Sequence, residues 1–125
     1  MIQLDTHVVV WLYAGALKEL TPKAKAAIEH EDLVICPAVL LELDFLHEIG
    51  RISVGSGTIL ETLAPQIGLA VSNTSFASVV AEAAVLSWTR DPFDRLIVGS
   101  AVADACALLT RDRLIRRHYP RAVWR

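Results

Sequence analysis

Four acids stand in places where a carboxylate is costly: Asp5, Glu42, Asp94 and Asp112. Asp5 closes the apolar stretch "MIQLD", and Asp112 follows the apolar stretch "ALLT" by one residue. Either acid can be read simply as the cap of a following helix. Glu42 is harder to place. On a helix opened by Pro37 its neighbours at helical spacing are Ala38, Val39, Phe45, Leu46 and Ile49, while Asp44, His47 and Glu48 fall at other angles. A lone carboxylate on such a stripe costs several kcal/mol or takes up a proton, unless an arginine pairs it or it reaches water at the helix edge. Asp94 repeats the pattern with Ile97, Val98, Ala101 and Ala105. In "RDPFDRLIVGSA", Asp91 with Pro92 makes an ordinary helix start. Asp94 would then be the third residue of a capping box, although a box normally uses the longer Glu or Gln. We read Asp91 as the cap and Asp94 as pointing inward.

Three or four clustered carboxylates do not all stay ionised without a cation among them. Hard oxygen donors without a Cys or His ligand pattern favour Mg²⁺ or Mn²⁺ over zinc. Such an ion lowers the pKa of a bound water and stabilises charge on a phosphoryl group. Thr6 and Thr110, each beside one of the acids, are placed to hold waters or carboxylates, and Asp91 stands close by as a supporting residue. Arg111, Arg113, Arg116 and Arg117 lie near the same edge and are suited to phosphates. Together these residues point to phosphodiester hydrolysis.

The elements that must position them alternate. "MIQLD", "LVIC", "LAVS", "ALLT" and a final "AVW" read as strands. Between them run helices over "THVVVWLYAG", "KAKAAIEHE" (capped by Thr21-Pro22), "PAVLLELDFLHEIG" (closed by Gly50) and a short "GTILETLAP". Further helices cover "NTSFASVVAEAAVLSW", capped near Asn73 or Thr74, then "DPFDRLIVGSAVADA" and a basic "RLIRRHY". Alternation of this kind implies parallel strands joined by right-handed crossovers. Apolar runs in place of strict alternation imply strands covered on both faces. The fold class is therefore α/β, an open, mostly parallel sheet sandwiched by helices. Sites in such sheets lie beyond the carboxyl ends of the strands, where Asp5 and Asp112 fall.

Length and composition agree. A chain of 125 residues, with no linker or repeat, suits one domain spanning 1–125. No apolar run is long enough to span a membrane, and Asp5 interrupts anything resembling a signal peptide, so a cytoplasmic protein without a membrane partner is expected. Cys36 and Cys106 sit in apolar surroundings and read as buried thiols. Trp11, Leu12 and Tyr13 read as core for most of their surface, or as a contact surface for a second copy or a partner. Residues 1–89 hold four basic and ten acidic residues, whereas 90–125 hold eight arginines and four aspartates. That basic end is either a phosphate-binding surface or a solvated helix face.

At these residues the sequence resembles the PIN-domain nucleases, and among them the VapC-type toxins of bacterial toxin–antitoxin pairs. "LDTHVVVW" is similar to the family's opening strand and first acid, "PAVLLEL" to the segment bearing its Glu, and "DPFDRLIVGSA" with "LLTRD" to its third and fourth acids. The resemblance implies a Mg²⁺- or Mn²⁺-dependent endoribonuclease that hydrolyses RNA with metal-activated water. It also implies a homodimer held inactive by a cognate antitoxin, whose C-terminal segment occupies the groove. Two departures stand out. Cys36-Pro37 replace a Ser found in many relatives near the start of the Glu-bearing helix, and His7 replaces a frequent Asn.

Rival readings fail on residue type. A receiver domain needs a lysine beyond a late strand, and the lysines here are Lys18, Lys23 and Lys25. A haloacid-dehalogenase-like phosphatase needs two acids separated by one residue after the first strand, where this chain has Asp5, Thr6 and His7. The alternative left is a PIN-like module that binds RNA or protein with weak or no catalysis. Four acids facing phosphates would gain such a binder nothing.

Overall fold

Five short apolar runs pair in the computed structural model, which describes residues 1–125. They are β1 (Ile2–Leu4), β2 (Leu33–Ile35), β3 (Ala70–Val71), β4 (Ala107–Leu109) and β5 (Ala122–Val123). All pairings are parallel, in the order β3-β2-β1-β4-β5. β1 is central, with Gln3 opposite Val34 on one side and Leu108 on the other. Burial on both faces is met at β1, whereas the edge strands β3 and β5 are only half-covered. An edge strand has a neighbour on one side alone, so a continuous apolar run is no guarantee of burial there.

The helices are α1 (Thr6–Ala14), α2 (Pro22–His30), α3 (Pro37–Glu48), α4 (Ser56–Ile67), α5 (Phe76–Ala84), α6 (Pro92–Ala103) and α7 (Arg113–His118). Several begin where local chemistry demands. Thr21 Oγ1 accepts the Ala24 amide at 3.0 Å, and prolines open α2, α3 and α6, where a missing N–H costs nothing. Several boundaries differ from expectation: α5 stops at Ala84, short of Trp88, and α6 at Ala103, short of Ala105. α4 continues through Pro65 to Ile67 before Gly68, in the left-handed region, closes it. α5 is capped by Ser75, which accepts the Ser78 amide at 3.1 Å, and not by Asn73 or Thr74. The Thr74 hydroxyl is engaged elsewhere, donating to Asp104.

Asp104 anchors a polar network through the sheet. It accepts Gln3 Nε2 at 2.6 Å and the Ser72 hydroxyl at 2.9 Å, as well as the Thr74 hydroxyl. Gln3 is fully buried in the central strand and also donates to Ser100 Oγ at 3.0 Å. β1, α6 and the segment after β3 are thereby fixed to one another.

α6 crosses α5 closely at Gly99. A β-carbon there would lie 2.9 Å from both the Val79 carbonyl oxygen and the Ala83 nitrogen. Because both obstacles are backbone, neither can turn aside. Gly99→Ala is expected to lower unfolding stability by about 1–3 kcal/mol, despite alanine's better helix propensity. Urea denaturation checks this, and an unchanged midpoint would mean that the two helices separate freely.

The strand order reverses at β1. β2 and β3 continue to one side, β4 and β5 to the other. The carboxyl ends of β1 and β4 therefore bound the crevice in which open α/β sheets bind ligands.

Candidate active site

The last residue pairing of β1 and β4 brings Leu4 opposite Leu109, so the residues that follow emerge together. Asp5 is 4% exposed and caps α1, its Oδ1 accepting the Thr6 amide at 2.8 Å. Its Oδ2 accepts the hydroxyl of buried Thr110 at 2.6 Å. The same Thr110 oxygen accepts the amide of Asp112 at 3.0 Å, and Asp112 Oδ1 caps α7 through the Ile115 amide at 2.9 Å. The helix-cap reading of Asp5 and Asp112 is therefore correct, and it leaves both acids beside the crevice. Capping fixes their direction.

Glu42 arrives from α3. The buried positions of that helix are Val39 and Leu43, whereas Leu41, Phe45 and Ile49 are exposed. Glu42 thus borders the core-facing stripe and does not lie within it, which corrects the stripe expected from helical spacing alone. It is half-buried and accepts the Thr6 hydroxyl. Burial raises its pKa, and the Thr6 hydroxyl opposes that rise. Cys36 caps α3 in the absence of a hydroxyl, its sulfur accepting the Ala38 amide at 3.4 Å.

Asp94 enters from the first turn of α6. Asp91 Oδ1 takes the amides of Phe93 at 2.8 Å and Asp94 at 3.3 Å, confirming Asp91 as the cap. The Asp94 carboxylate has no hydrogen bond or ion pair of its own. Burial, followed by the charges of Asp91, Asp5, Asp112 and Glu42, raises its pKa to about 7.

Asp5, Glu42, Asp94 and Asp112 line one pocket of about 300 Å³ together with Thr6, His7, Trp11 and Arg51. No three His, Cys, Asp or Glu side chains are gathered tightly enough to hold a metal ion as they stand. The acids ring the pocket without closing a cage. That donor set suits a hydrated Mg²⁺-type ion, which keeps several waters and needs only one or two direct carboxylates. It does not suit a closed zinc site, and Cys36 and Cys106 are free thiols buried outside this pocket.

Arg51 escaped sequence reasoning. Gly50, at φ +78°, turns the chain after α3, and the Arg51 amide donates back to the Leu46 carbonyl at 2.8 Å. That turn directs Arg51 to the pocket, where it is the one permanent cation among the lining residues. The Gly after an amphipathic run was the available signal. His7 also lines the pocket. Its Nε2 accepts the Arg111 amide at 2.9 Å, so Nδ1 carries the proton toward Asp5 Oδ2, 3.7 Å away. Burial lowers its pKa, outweighing the pull of Asp5 and Asp112.

The arginines divide. Arg111 stands beside the pocket, its guanidinium 5.6 Å from the Trp11 ring centre and 3.5 Å from Glu19. Arg116 reaches back to the Arg111 carbonyl at 3.3 Å. Arg113 and Arg117 are exposed on α7, and neither lines the carboxylate pocket.

The PIN domain family model matches residues 2–119. The chain belongs to the PIN domain family. It is 34% identical to Ribonuclease VapC22 of Mycobacterium tuberculosis over 98% of this chain and 95% of that protein. Among solved structures, VapBC2 from Rickettsia felis, bound to a DNA fragment from its promoter, matches with a TM-score of 0.67 and 18% identity, covering 100% of both chains. A toxin–antitoxin complex from Klebsiella pneumoniae matches with a TM-score of 0.68 and 17% identity over 98% of this chain and 96% of that one. The expected α/β class and parallel sheet are those of this PIN fold. No helix is long and apolar enough to cross a membrane.

Proposed function

We propose that residues 1–125 form one ribonuclease domain, a Mg²⁺- or Mn²⁺-dependent endoribonuclease acting as the toxin of a type II toxin–antitoxin pair. One observation carries this reading: four carboxylates from four separate segments line a single pocket at the switch point of the sheet. Its similarity to a protein named as a VapC ribonuclease supports the choice of RNA.

In this reading Asp5, Glu42, Asp94 and Asp112 hold the metal. When bound, such an ion supplies a water nucleophile at neutral pH and offsets charge on the phosphoryl oxygens. The chain's own residues prepare the place. Thr110 holds Asp5, Thr6 holds Glu42, and Asp91 sets the start of α6 so that Asp94 faces the pocket. Arg111, Arg113, Arg116 and Arg117 receive RNA phosphates along the edge of the site.

An antitoxin segment has a place to lie. A groove of about 540 Å³, lined by Tyr13, Val54 and Ile59 among others, shares Val10, Arg51 and Ile52 with the carboxylate pocket. Its mainly apolar wall suits an apolar peptide, with Arg51 at the junction. A homodimer in the cytoplasm completes the proposal.

The deciding experiment is RNA cleavage by the purified protein after EDTA treatment. Activity should vanish in EDTA and return with Mg²⁺ or Mn²⁺. An equal rate in EDTA would refute metal dependence, and no cleavage under any condition would favour the non-cleaving module. Arg116→Ala with Arg117→Ala should also flatten the salt dependence of RNA binding, by about 0.7 in log–log slope for each phosphate no longer neutralised. An unchanged slope would return both residues to a solvated helix face.

A further inference from the structure

Beside the carboxylate pocket lies a shallow recess of about 290 Å³, lined by His7, Trp11, Arg111 and Asp112. Three of these residues, His7, Trp11 and Asp112, also line the carboxylate pocket, so the two spaces share a wall. We infer that this recess holds an unpaired base of the RNA strand, stacked on the Trp11 indole next to the scissile phosphodiester. The inference rests on the ribonuclease reading above and adds to it a residue that grips the base.

The platform is preorganised. Trp11 is half-buried and packs at a tilt of 44° against buried Trp124, with ring centres 6.0 Å apart. His7 lies 5.1 Å from Trp11 at an interplanar angle of 57° and is pinned by the Arg111 amide. The Arg111 guanidinium lies over the indole, 5.6 Å from its centre, and moves toward the adjoining phosphate as a base takes the ring face. An aromatic face beside a guanidinium is the surface on which bases of single strands stack, with the cation available to the adjoining phosphate. Bases within a duplex are already stacked and paired, so the recess selects an unpaired segment. The Arg111–Glu19 pair at 3.5 Å lies on the surface and offers little resistance to a competing phosphate. The indole has no group that could act on the phosphodiester. Its role is affinity and placement.

The test compares fluorescently labelled single-stranded octamers of adenosine with an abasic ribose-phosphate octamer of the same length. Binding is measured with Ca²⁺ in place of Mg²⁺. The wild type should bind the base-bearing octamer about tenfold more tightly than the abasic one. Trp11→Leu, which keeps bulk without a ring, should bind both equally. Trp11→Phe should restore most of the preference. Only the base-bearing octamer should quench wild-type tryptophan emission, and Trp11→Phe should lose that quenching while keeping affinity, a readout independent of whether Trp11→Leu folds. Full base preference in folded Trp11→Leu, or undiminished quenching in Trp11→Phe, would overturn the inference. So would a wild type that cleaves RNA with Mg²⁺ yet prefers neither octamer. A wild type that cleaves no RNA at all would overturn the ribonuclease reading instead.

Discussion

Asp94→Asn is expected to reduce RNA cleavage by about a hundredfold or more, because in the proposed metal site the loss of one carboxylate would forfeit several kcal/mol of transition-state stabilisation. The same change should make the metal-free protein more stable at pH 8. Asp94 carries no hydrogen bond or ion pair and faces Asp91, Asp5, Asp112 and Glu42, which with burial hold its pKa at about 7. The unfolded chain titrates this group near about 3.9. Between those values the folded state binds more protons than the unfolded state. Stability therefore falls as pH rises from about 4 through about 7, and the full penalty applies above that window. Asn removes the charge at equal size. Allowing for the open side of the pocket, the gain at pH 8 in EDTA is about 1–2 kcal/mol. Urea denaturation at pH 5 and pH 8 measures it, with a smaller difference expected at pH 5. A variant that cleaves RNA at the wild-type rate would remove Asp94 from the site, and one less stable at pH 8 would show that the carboxylate is paired.

Asp5→Asn should lose cleavage to the same degree with the opposite structural signature. Asn is as good an N-cap as Asp, so α1 keeps its start. What is lost is the charge-assisted bond from Thr110, whose buried hydroxyl already accepts the Asp112 amide and needs an acceptor for its own proton. An Asn amide group turned toward Thr110 offers a second donor in place of that acceptor. Asp5→Asn is therefore expected to be less stable than Asp94→Asn by about 1–3 kcal/mol at pH 8 in EDTA. Equal stability of the two variants would mean that the Thr110–Asp5 bond contributes nothing.

This contrast shows which parts of the site the sequence could reveal. Asp5, Asp91 and Asp112 are legible because capping is a local matter of residue type before a helix start. The same holds for the prolines that open α2, α3 and α6. Thr74 misleads for the converse reason: it has a capping side chain, but Asp104, thirty residues away, claims its hydroxyl, and the cap passes to Ser75. Spacing alone puts Glu42 on a buried stripe, because it reveals which residues share a helix face, while the neighbouring helices decide which face is covered. Exposed Phe45 and Ile49 are the result. Arg51 follows a glycine turn whose direction depends on tertiary packing, so its arrival among four carboxylates left little trace in the residues around it.

The Thr110 hydroxyl has one further consequence. With a single proton committed to Asp5 and its oxygen committed to the Asp112 amide, it works as a strut between the central strand and the start of the arginine-bearing helix. The strut makes the site a ruler. In the proposed reading, the backbone fixes the distance from the first acid to the start of the helix whose arginines receive an RNA phosphate. Where along a strand the cut falls would then be a dimension of the fold itself.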